Sequence, residues 1–305
     1  MDKGFKIFCL SCASLAGVLF LGFLLMLAYN SLPVWQEFGW RFLISSEWNP
    51  VEEIYGAWPS LLGTLSTTII ALALALPLAF VSALYLAEAP AMLSRILSQG
   101  IDLLAAIPSV IYGMWGLFIL VPIMQNQVQP FLIDRMHLSA WPLIGRFFSE
   151  YFNGFGILTA GLILAIMILP YICAIMRDIF KMTPPLLREA AFGAGCTRWE
   201  TAKDIVMKHS ASALLGGVFI GLGRALGETM AVLFVIGNMM TKPTGFFDSG
   251  TTIAATLANN FAEADGLQRS TLFALGLLLL LLSFAIQVLA QHFLQITACH
   301  RGEKN

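Results

Sequence analysis

The sequence predicts an all-α membrane protein with six transmembrane helices. Hydrophobic residues make up 58% of its 305 residues and charged residues only 11%, whereas a soluble domain carries about 25% charged residues. Six apolar runs each reach the roughly 20 residues that a helix needs to cross a bilayer core. The predicted spans are 7–29, 61–86, 101–124, 156–176, 214–236 and 267–293.

The first span follows Lys3 and Lys6, as in a secretory signal, but no small-residue cleavage site comes after it. It is therefore predicted to remain as a membrane helix. Lysine and arginine are more frequent on the side of the spans that carries both termini. Because cytoplasmic loops retain positive charge, both termini are predicted to lie in the cytoplasm, with the spans in a bacterial cytoplasmic membrane. The predicted units are 1–57 (first span and external segment), 58–295 (the other five spans) and a cytoplasmic tail at 296–305.

The external segments carry weaker signals. The tryptophans between spans 1 and 2 are interpreted either as anchors at the lipid headgroups or as part of a docking surface for an extracytoplasmic partner. The segment at about 125–155 contains apolar and aromatic residues at helical spacing. It is predicted to lie along the membrane surface.

Several kinds of site have no support in the sequence. Cys9 and Cys12 form a C-x-x-C spacing, but inside a membrane helix they are interpreted as two small apolar side chains. The four histidines are scattered without the spacing of metal ligands. No lysine follows a glycine, so no G-x-x-x-x-G-K-[ST] loop exists to bind a nucleotide. We therefore expect no cofactor, metal or nucleic acid on this chain.

Prolines interrupt three predicted spans, at Pro77, Pro108 and Pro170. Each removes a backbone hydrogen bond and clashes with the carbonyl group four residues earlier. Pro108 stands beside Ser109 and close to Gly113. This stretch is interpreted either as a bent, packed helix or as a helix that bends to line a pathway.

The connection between spans 4 and 5, at about 181–209, is charged and too polar to cross the membrane. A helix is predicted to start after Pro184, followed by a break at Gly195 and a second helix from Thr197. Thr197 and Glu200 have the spacing of a capping box. The segment is expected to contact water or a partner protein.

This connection resembles the coupling loop of ABC-importer permeases. The matching residues of the EAA-x3-G-x9-I pattern are Glu189, Ala190, Ala191, Gly195 and Ile205. The resemblance implies the type I ABC-importer permease fold and a loop that seats in a groove of a cytoplasmic ATPase, which would bind the ATP. The sequence departs from the usual pattern at Met207 and Lys208, where the family has Leu-Pro. A chance amphipathic loop is the alternative interpretation.

Span 5 contains two charged residues, Arg224 and Glu228. On one continuous helix they would share a face with Gly217 and Gly221, and the pairs Gly217/Gly221 and Gly223/Gly227 would let another helix approach closely. A charge at the centre of a membrane helix costs about 2.5 to 3.5 kcal/mol on insertion scales, so a compensating role is expected. The pair is interpreted either as an ion pair that locks helices together or as a substrate site. In the second case the guanidinium group of Arg224 would bind a tetrahedral oxyanion and Glu228 would orient it.

The stretches "GLGRALGETMAVLFVIGN", "ILAIMILPYICAIMRDIF", "SSEWNP" and "AAIPSVIYG" are similar to phosphate permeases of the PstC type, over about residues 45–284. This resemblance implies a non-enzymatic permease that passes phosphate by way of Arg224 and Glu228. It also implies a second permease of the PstA type, PstB-type ATPase subunits, an extracytoplasmic phosphate-binding protein and a surrounding lipid bilayer.

Three alternatives stay open. Sulfate, molybdate or a phosphonate could replace phosphate, because an arginine and a glutamate do not encode which oxyanion passes. The chain could also serve as a membrane scaffold that reports phosphate supply to a sensor kinase. An intramembrane enzyme with Glu228 as acid or base would need a second catalytic group, and Asp102 is interpreted instead as a solvated helix cap.

Overall fold

The computed structural model describes residues 3–137, 145, 153–243 and 245–300, with side chains up to His292. Within these ranges the chain is helical, with two isolated β-bridges and no strand. Six helices are long and apolar enough to cross a membrane, which agrees with the predicted number. They are α1 (Lys3–Glu37), α3 (Trp58–Glu88), α5 (Ser109–Arg135), α6 (Ile157–Lys181), α8 (Arg198–Leu226) and α11 (Gly266–His300). The shorter helices are α2 (Arg41–Ile44), α4 (Ala91–Ala105), α7 (Pro185–Gly193), α9 (Met230–Leu233) and α10 (Ile253–Asn260).

The centre of the bundle is the pair α3 and α6. The buried side of α3 carries alanine at four-residue spacing, at positions 71, 75, 79 and 83, and all four are fully buried. On α6, Gly161 lies so close to Ile70 that an added Cβ would come within 2.5 Å of its Cγ2 atom. Small residues let the two backbones approach, and packing of this kind drives helix association where lipid is as apolar as the side chains.

A second apolar cluster closes the end of the bundle where α1 finishes. Val34 of α1, Phe42 of α2 and Tyr55 are almost fully buried against Leu272 and Leu275 of α11. Among the tryptophans of this segment, the ring of Trp48 lies 5.0 Å from that of Tyr55, whereas Trp40 is 79% exposed. The segment is thus a packed cap on the bundle, with Trp40 as a ring directed outwards.

The predicted third span is wrong in its position. Residues 91–105 form a separate helix, α4, and the membrane-crossing helix α5 begins only at Ser109. Pro108 therefore precedes a helix and does not kink one, because proline restricts the residue before it to extended backbone and suits a helix start. α5 continues through π-helical turns to Arg135, so the predicted surface segment begins inside a helix. Residues 138–144 and 146–152 of that segment lie outside the described ranges.

The predicted fifth span is also wrong, because α8 ends at Leu226 and residues 227–229 leave the helix. The short helix α9 follows, and the chain then turns back into the bundle through α10. Thr251, just before α10, packs so closely on Gly63 of α3 that a Cβ at Gly63 would collide with the Thr251 carbonyl oxygen. Glycine is required there because two backbones touch.

The connection between α6 and α8 follows the prediction closely. The helix α7 starts directly after Pro184, and Gly195 adopts the left-handed φ of +90°. Thr197 Oγ1 accepts the Glu200 N–H at 3.3 Å, and Glu200 Oε2 accepts the Thr197 N–H at 2.7 Å. The predicted capping box is confirmed, and it fixes where α8 begins.

Candidate functional site

Arg224 lies in the last turn of α8, directly before the break in the helix. Its Cζ atom is 4.8 Å from the ring centroid of Tyr171 on α6, which is the distance of a cation–π contact. The Nε atom is buried and has no hydrogen-bond partner. The last carbonyl groups of α8 carry partial negative charge, which favours a cation at this position. The guanidinium group is therefore held in place with a donor still unused.

Glu228 does not pair with Arg224, contrary to both sequence-based interpretations. Among the described residues, no Arg224 nitrogen lies within 4.0 Å of a Glu228 carboxylate oxygen. Glu228 Oε1 instead accepts the Ala231 N–H at 3.2 Å, at the start of α9. The reason is the end of α8 at Leu226, which takes Glu228 off the face that carries Gly217, Gly221 and Arg224. The Glu228 side chain thus stabilises the backbone conformation of the break at residues 227–229.

The four predicted packing glycines fall into two groups. An added Cβ would lie 3.0 Å from the Ile175 Cγ2 atom at Gly217 and 2.6 Å from the Ile172 Cδ1 atom at Gly221, so this part of α8 packs tightly on α6. At Gly223 the nearest described atom would be 4.0 Å away, and at Gly227 it would be 3.7 Å away. The second pair therefore makes no tight helix contact, because both distances are those of ordinary van der Waals contact.

The start of α5 is close to the same break. Gly113 packs on α9, since its added Cβ would lie 2.8 Å from the Met230 carbonyl oxygen. The Tyr112 hydroxyl group donates to the Leu104 carbonyl oxygen at 2.9 Å across the bend at Pro108. The structure thus brings the Pro108–Ser109 bend and the 227–229 break to one place in the bundle.

Sequence reasoning did not identify Tyr112 and Tyr171. A tyrosine in an apolar run carries no signal of its own, because such residues are common in membrane helices. The packing of α6 against α8 brings the Tyr171 ring to Arg224, whereas Tyr112 comes near the break through the packing of α5 on α9. Arg224 thus presents a cation with one buried, unpaired N–H donor and an aromatic ring stacked on it, which suits binding of an oxyanion.

The coupling-loop residues lie at the end of the bundle opposite the packed cap. Glu189 and Ala190 are exposed, Ala191 is buried and Ile205 is half-buried. Gly195 is exposed, and a Cβ there would meet no atom within 4 Å, so glycine is needed for its backbone conformation and not for space. Large apolar side chains are exposed on the same loop, namely Leu186 (74%), Trp199 (64%) and Phe192 (47%). An exposed apolar surface of this kind is typical of a protein interface.

An ion network around one buried arginine, also missed in the sequence, lies near this loop. Arg177 on α6 is only 7% exposed. Its Nη1 atom is 3.2 Å from Asp102 Oδ1 on α4, and its Nε atom is 2.8 Å from Asp178 Oδ1. Asp102 lies near the end of α4 with a side chain that is 52% exposed, so it is solvated as interpreted, and its carboxylate also ties α4 to α6.

Comparison with known proteins agrees with this fold. The profile of the family described as "Binding-protein-dependent transport system inner membrane component" matches residues 75–295. Two inward-facing structures of the MetNI methionine ABC transporter are similar to the chain, one with a TM-score of 0.54 at 16% sequence identity over 79% of this chain and 94% of that one. At this identity the similarity shows the fold alone, which is the type I ABC-importer permease fold.

The more similar relatives all carry the name "Phosphate transport system permease protein PstC". The protein from Haemophilus influenzae is 47% identical over 280 residues, which is 92% of this chain and 88% of the relative. The protein from Xylella fastidiosa (strain 9a5c) is 48% identical over 88% of this chain and 82% of the relative. A probable PstC from the archaeon Methanocaldococcus jannaschii is 34% identical over 95% and 93%.

The six apolar helices, the type I fold and these matches over most of the chain lead to one conclusion. The chain is a multi-pass membrane protein, a transport component and not an enzyme, and it belongs to the family of inner-membrane components of binding-protein-dependent transport systems.

Proposed function

We infer that this chain is the PstC-type permease subunit of an ABC importer that moves inorganic phosphate across the cytoplasmic membrane. The observation that carries the inference is the 45–48% identity to bacterial phosphate permeases over 85–92% of the chain. ATP hydrolysis in a separate subunit supplies the energy. The permease itself forms and breaks no covalent bond.

We propose that Arg224 is the point at which phosphate is held during passage. It is the charged residue at the broken region that has an unused buried donor, and the adjacent Gly223 makes no tight helix contact. A guanidinium group presents a planar set of donors that matches two oxygens of a tetrahedral anion. Tyr171 fixes the plane of that group by stacking. Glu228 keeps the break open by binding the α9 backbone.

The partners follow from the family and from the exposed surfaces. We propose that a PstA-type subunit completes the pore and that an extracytoplasmic phosphate-binding protein docks on the cap formed by α2 and its neighbours. PstB-type ATPase subunits contact α7, where the Glu189 side chain is exposed. Both termini and α7 then face the cytoplasm, residues 58–295 act as the permease unit, and the bend at Pro108 and Ser109 lines the pathway. A report of phosphate supply to a sensor kinase is compatible with this arrangement but has no structural observation in its favour.

The test is ATP-driven uptake of radiolabelled phosphate into proteoliposomes that contain the whole complex. We expect Arg224→Gln to abolish uptake while the complex still assembles, because the oxyanion loses its cation. Arg269→Gln is the matched control, since Arg269 also stacks on an aromatic ring, that of Phe261 at 5.9 Å, but lies outside the site. Normal uptake by an assembled Arg224→Gln complex would refute the role of Arg224.

A competition arm tests the substrate. Excess sulfate, molybdate or a phosphonate is added to the wild-type complex during phosphate uptake. We expect uptake of phosphate to persist. Strong competition by one of these anions would move the assignment to that anion or to oxyanions in general.

A further inference from the structure

The coupling helix α7 packs on the first turns of α8, and the side chain of Arg188 joins it to α3 and α6. Its Nη1 atom lies 2.5 Å from Glu88 Oε1, on the last residue of α3. Its Nη2 atom donates to the Phe180 carbonyl oxygen at 3.0 Å, in the last turn of α6. In the part of the chain that the structure describes, no other hydrogen bond or ion pair joins a side chain of α7 to α3 or α6.

The geometry of this contact favours a rigid connection. The two partners of Arg188 belong to two different helices, and one planar guanidinium group binds both, so the three elements are held at fixed relative positions. The Phe180 carbonyl group is at a helix C-terminus, where partial negative charge favours a cation. The side chains of Arg188 and Glu88 are only 20% and 25% exposed. Solvent and salt therefore screen the pair less than an ion pair on the surface.

Arg188 acts on α6, which carries the ring that stacks on Arg224, and on α3, the main packing partner of α6. α3 and α6 form the tightly packed centre of the bundle, so they move together as one body. Tyr171, which stacks on Arg224, lies nine residues before Phe180 on α6. At 1.5 Å per residue this separation is about 13 Å along a helix. A displacement of α7 that pulls on the end of α6 therefore reaches the ring against which Arg224 rests.

We propose that Arg188 is a positioning residue that transmits movement of α7 to α3 and α6, so that ATP hydrolysis in the partner subunit is coupled to passage of the anion. The proposal rests on the function inferred above. Neighbouring Glu189 and Ala190 face outwards, towards the expected ATPase, whereas Arg188 faces inwards. The loop thus contacts the partner through Glu189 and Ala190 and the bundle through Arg188.

The experiment compares transport with ATP hydrolysis in the reconstituted complex. Phosphate uptake and ATP hydrolysis are measured together for wild type, Arg188→Gln and Glu88→Gln. We expect both variants to hydrolyse ATP at a rate close to wild type, with the amount of phosphate moved per ATP reduced at least about fivefold in Arg188→Gln. The reduction is smaller in Glu88→Gln, because the bond to Phe180 remains. A ratio in Arg188→Gln equal to that of wild type would overturn the proposal.

Two further variants separate transmission from assembly. Arg269→Gln is the control, because Arg269 stacks on Phe261 at 5.9 Å outside the coupling loop and the substrate site, so the ratio stays unchanged. Arg188→Lys keeps the charge but cannot bind both partners with a planar fork, and we expect an intermediate ratio. Normal coupling in an assembled Arg188→Lys complex would count against the proposal. So would a failure of both Arg188 variants to assemble, since Arg188 would then be needed to build the complex and not to transmit movement.

A readout that needs no transported anion keeps this proposal distinct from the inferred function. A single cysteine is placed at position 223, beside Arg224, in a background without the native cysteines, and its rate of labelling is measured with and without a non-hydrolysable ATP analogue. The analogue is expected to change the rate in the wild-type background and not in Arg188→Gln. An equal change in both backgrounds would refute the role of Arg188, even if phosphate were not the substrate. Absence of phosphate uptake by the wild-type complex would refute only the inferred function.

Discussion

The helices α1 and α6 are almost equally apolar, yet the most apolar stretch of α1 is exposed and that of α6 is mostly buried in the bundle. Their most apolar stretches have mean hydropathies of 2.3 and 2.4, but none of the α1 stretch is buried while 67% of the α6 stretch is. α6 packs against α3, α4, α5, α8 and α9, whereas the main partner of α1 is α11. Hydropathy therefore measures whether a helix tolerates lipid. Steric fit to its neighbours decides whether it reaches the centre of the bundle.

The largest difference between the two helices is expected at their glycines. In Gly161→Val the new Cβ on α6 would lie 2.8 Å from Ile70 Cβ, an atom that cannot rotate away, so α3 and α6 must separate. Overpacking typically costs 1 to 3 kcal/mol and occasionally more, and we expect more than about 3 kcal/mol here. The matched variant Gly17→Val on α1 meets no atom within 4 Å and is expected to have no effect.

The yield of monodisperse complex and its Tm measure this difference. We expect Gly161→Val to give little or no intact complex and Gly17→Val to match the wild type. Equal Tm values for the two variants would show that burial in the bundle does not govern stability.

An intermediate effect is expected for truncation of a large side chain. Ile168 on α6 is fully buried, and Ile168→Ala leaves a cavity whose lining loses its dispersion contacts. In a bilayer the transfer part of the usual cost is absent, so we expect a loss of about 2 kcal/mol, at the low end for such substitutions. Leu19 on α1 is 65% exposed, and Leu19→Ala is expected to be neutral. Thermal unfolding in the same detergent measures both, and a neutral Ile168→Ala would contradict the packed centre.

The smallest expected effect on stability is a difference between two glycine positions of α8. At Gly221 of α8 a new methyl group would meet the flexible end of Ile172, so Gly221→Ala is expected to cost about 1 kcal/mol. At Gly223 the nearest atom is 4.0 Å away, so Gly223→Ala is neutral or stabilises by up to about 1 kcal/mol through its higher helix propensity. The shift in Tm between the two variants tests the division of α8 into a packed part and an open part. A lower Tm for Gly223→Ala than for Gly221→Ala would contradict this division of α8.

The sequence predicts the number of spans and the coupling loop well because both depend on local signals. Runs of apolar residues mark helices in lipid, and Pro184, Gly195 and the Thr197/Glu200 box mark helix ends by their own backbone chemistry. The start of α5 had such a signal too, since proline disfavours helical backbone in the residue before it. Apolarity on both sides of Pro108 outweighed that signal in the prediction.

Sequence-based reasoning identified only part of the candidate site. Arg224 stands out because a charge in an apolar run is costly. Its supposed pairing with Glu228 assumed an unbroken helix, although Gly227 is the residue type that most often follows a helix C-terminus. Tyr171 could not be found, because its role arises from a contact between α6 and α8 that no local pattern records.

The pairing of α1 with α11 has a consequence for how the chain is made. α1 meets its partner α11 only after roughly 230 further residues have been synthesised, which at 5 to 20 residues per second is a delay of about 10 to 45 seconds. The exposed apolar side chains of α1 suit it to contact lipid during that delay. The α3–α6 centre of the bundle is therefore synthesised in full before α1 and α11 can pair.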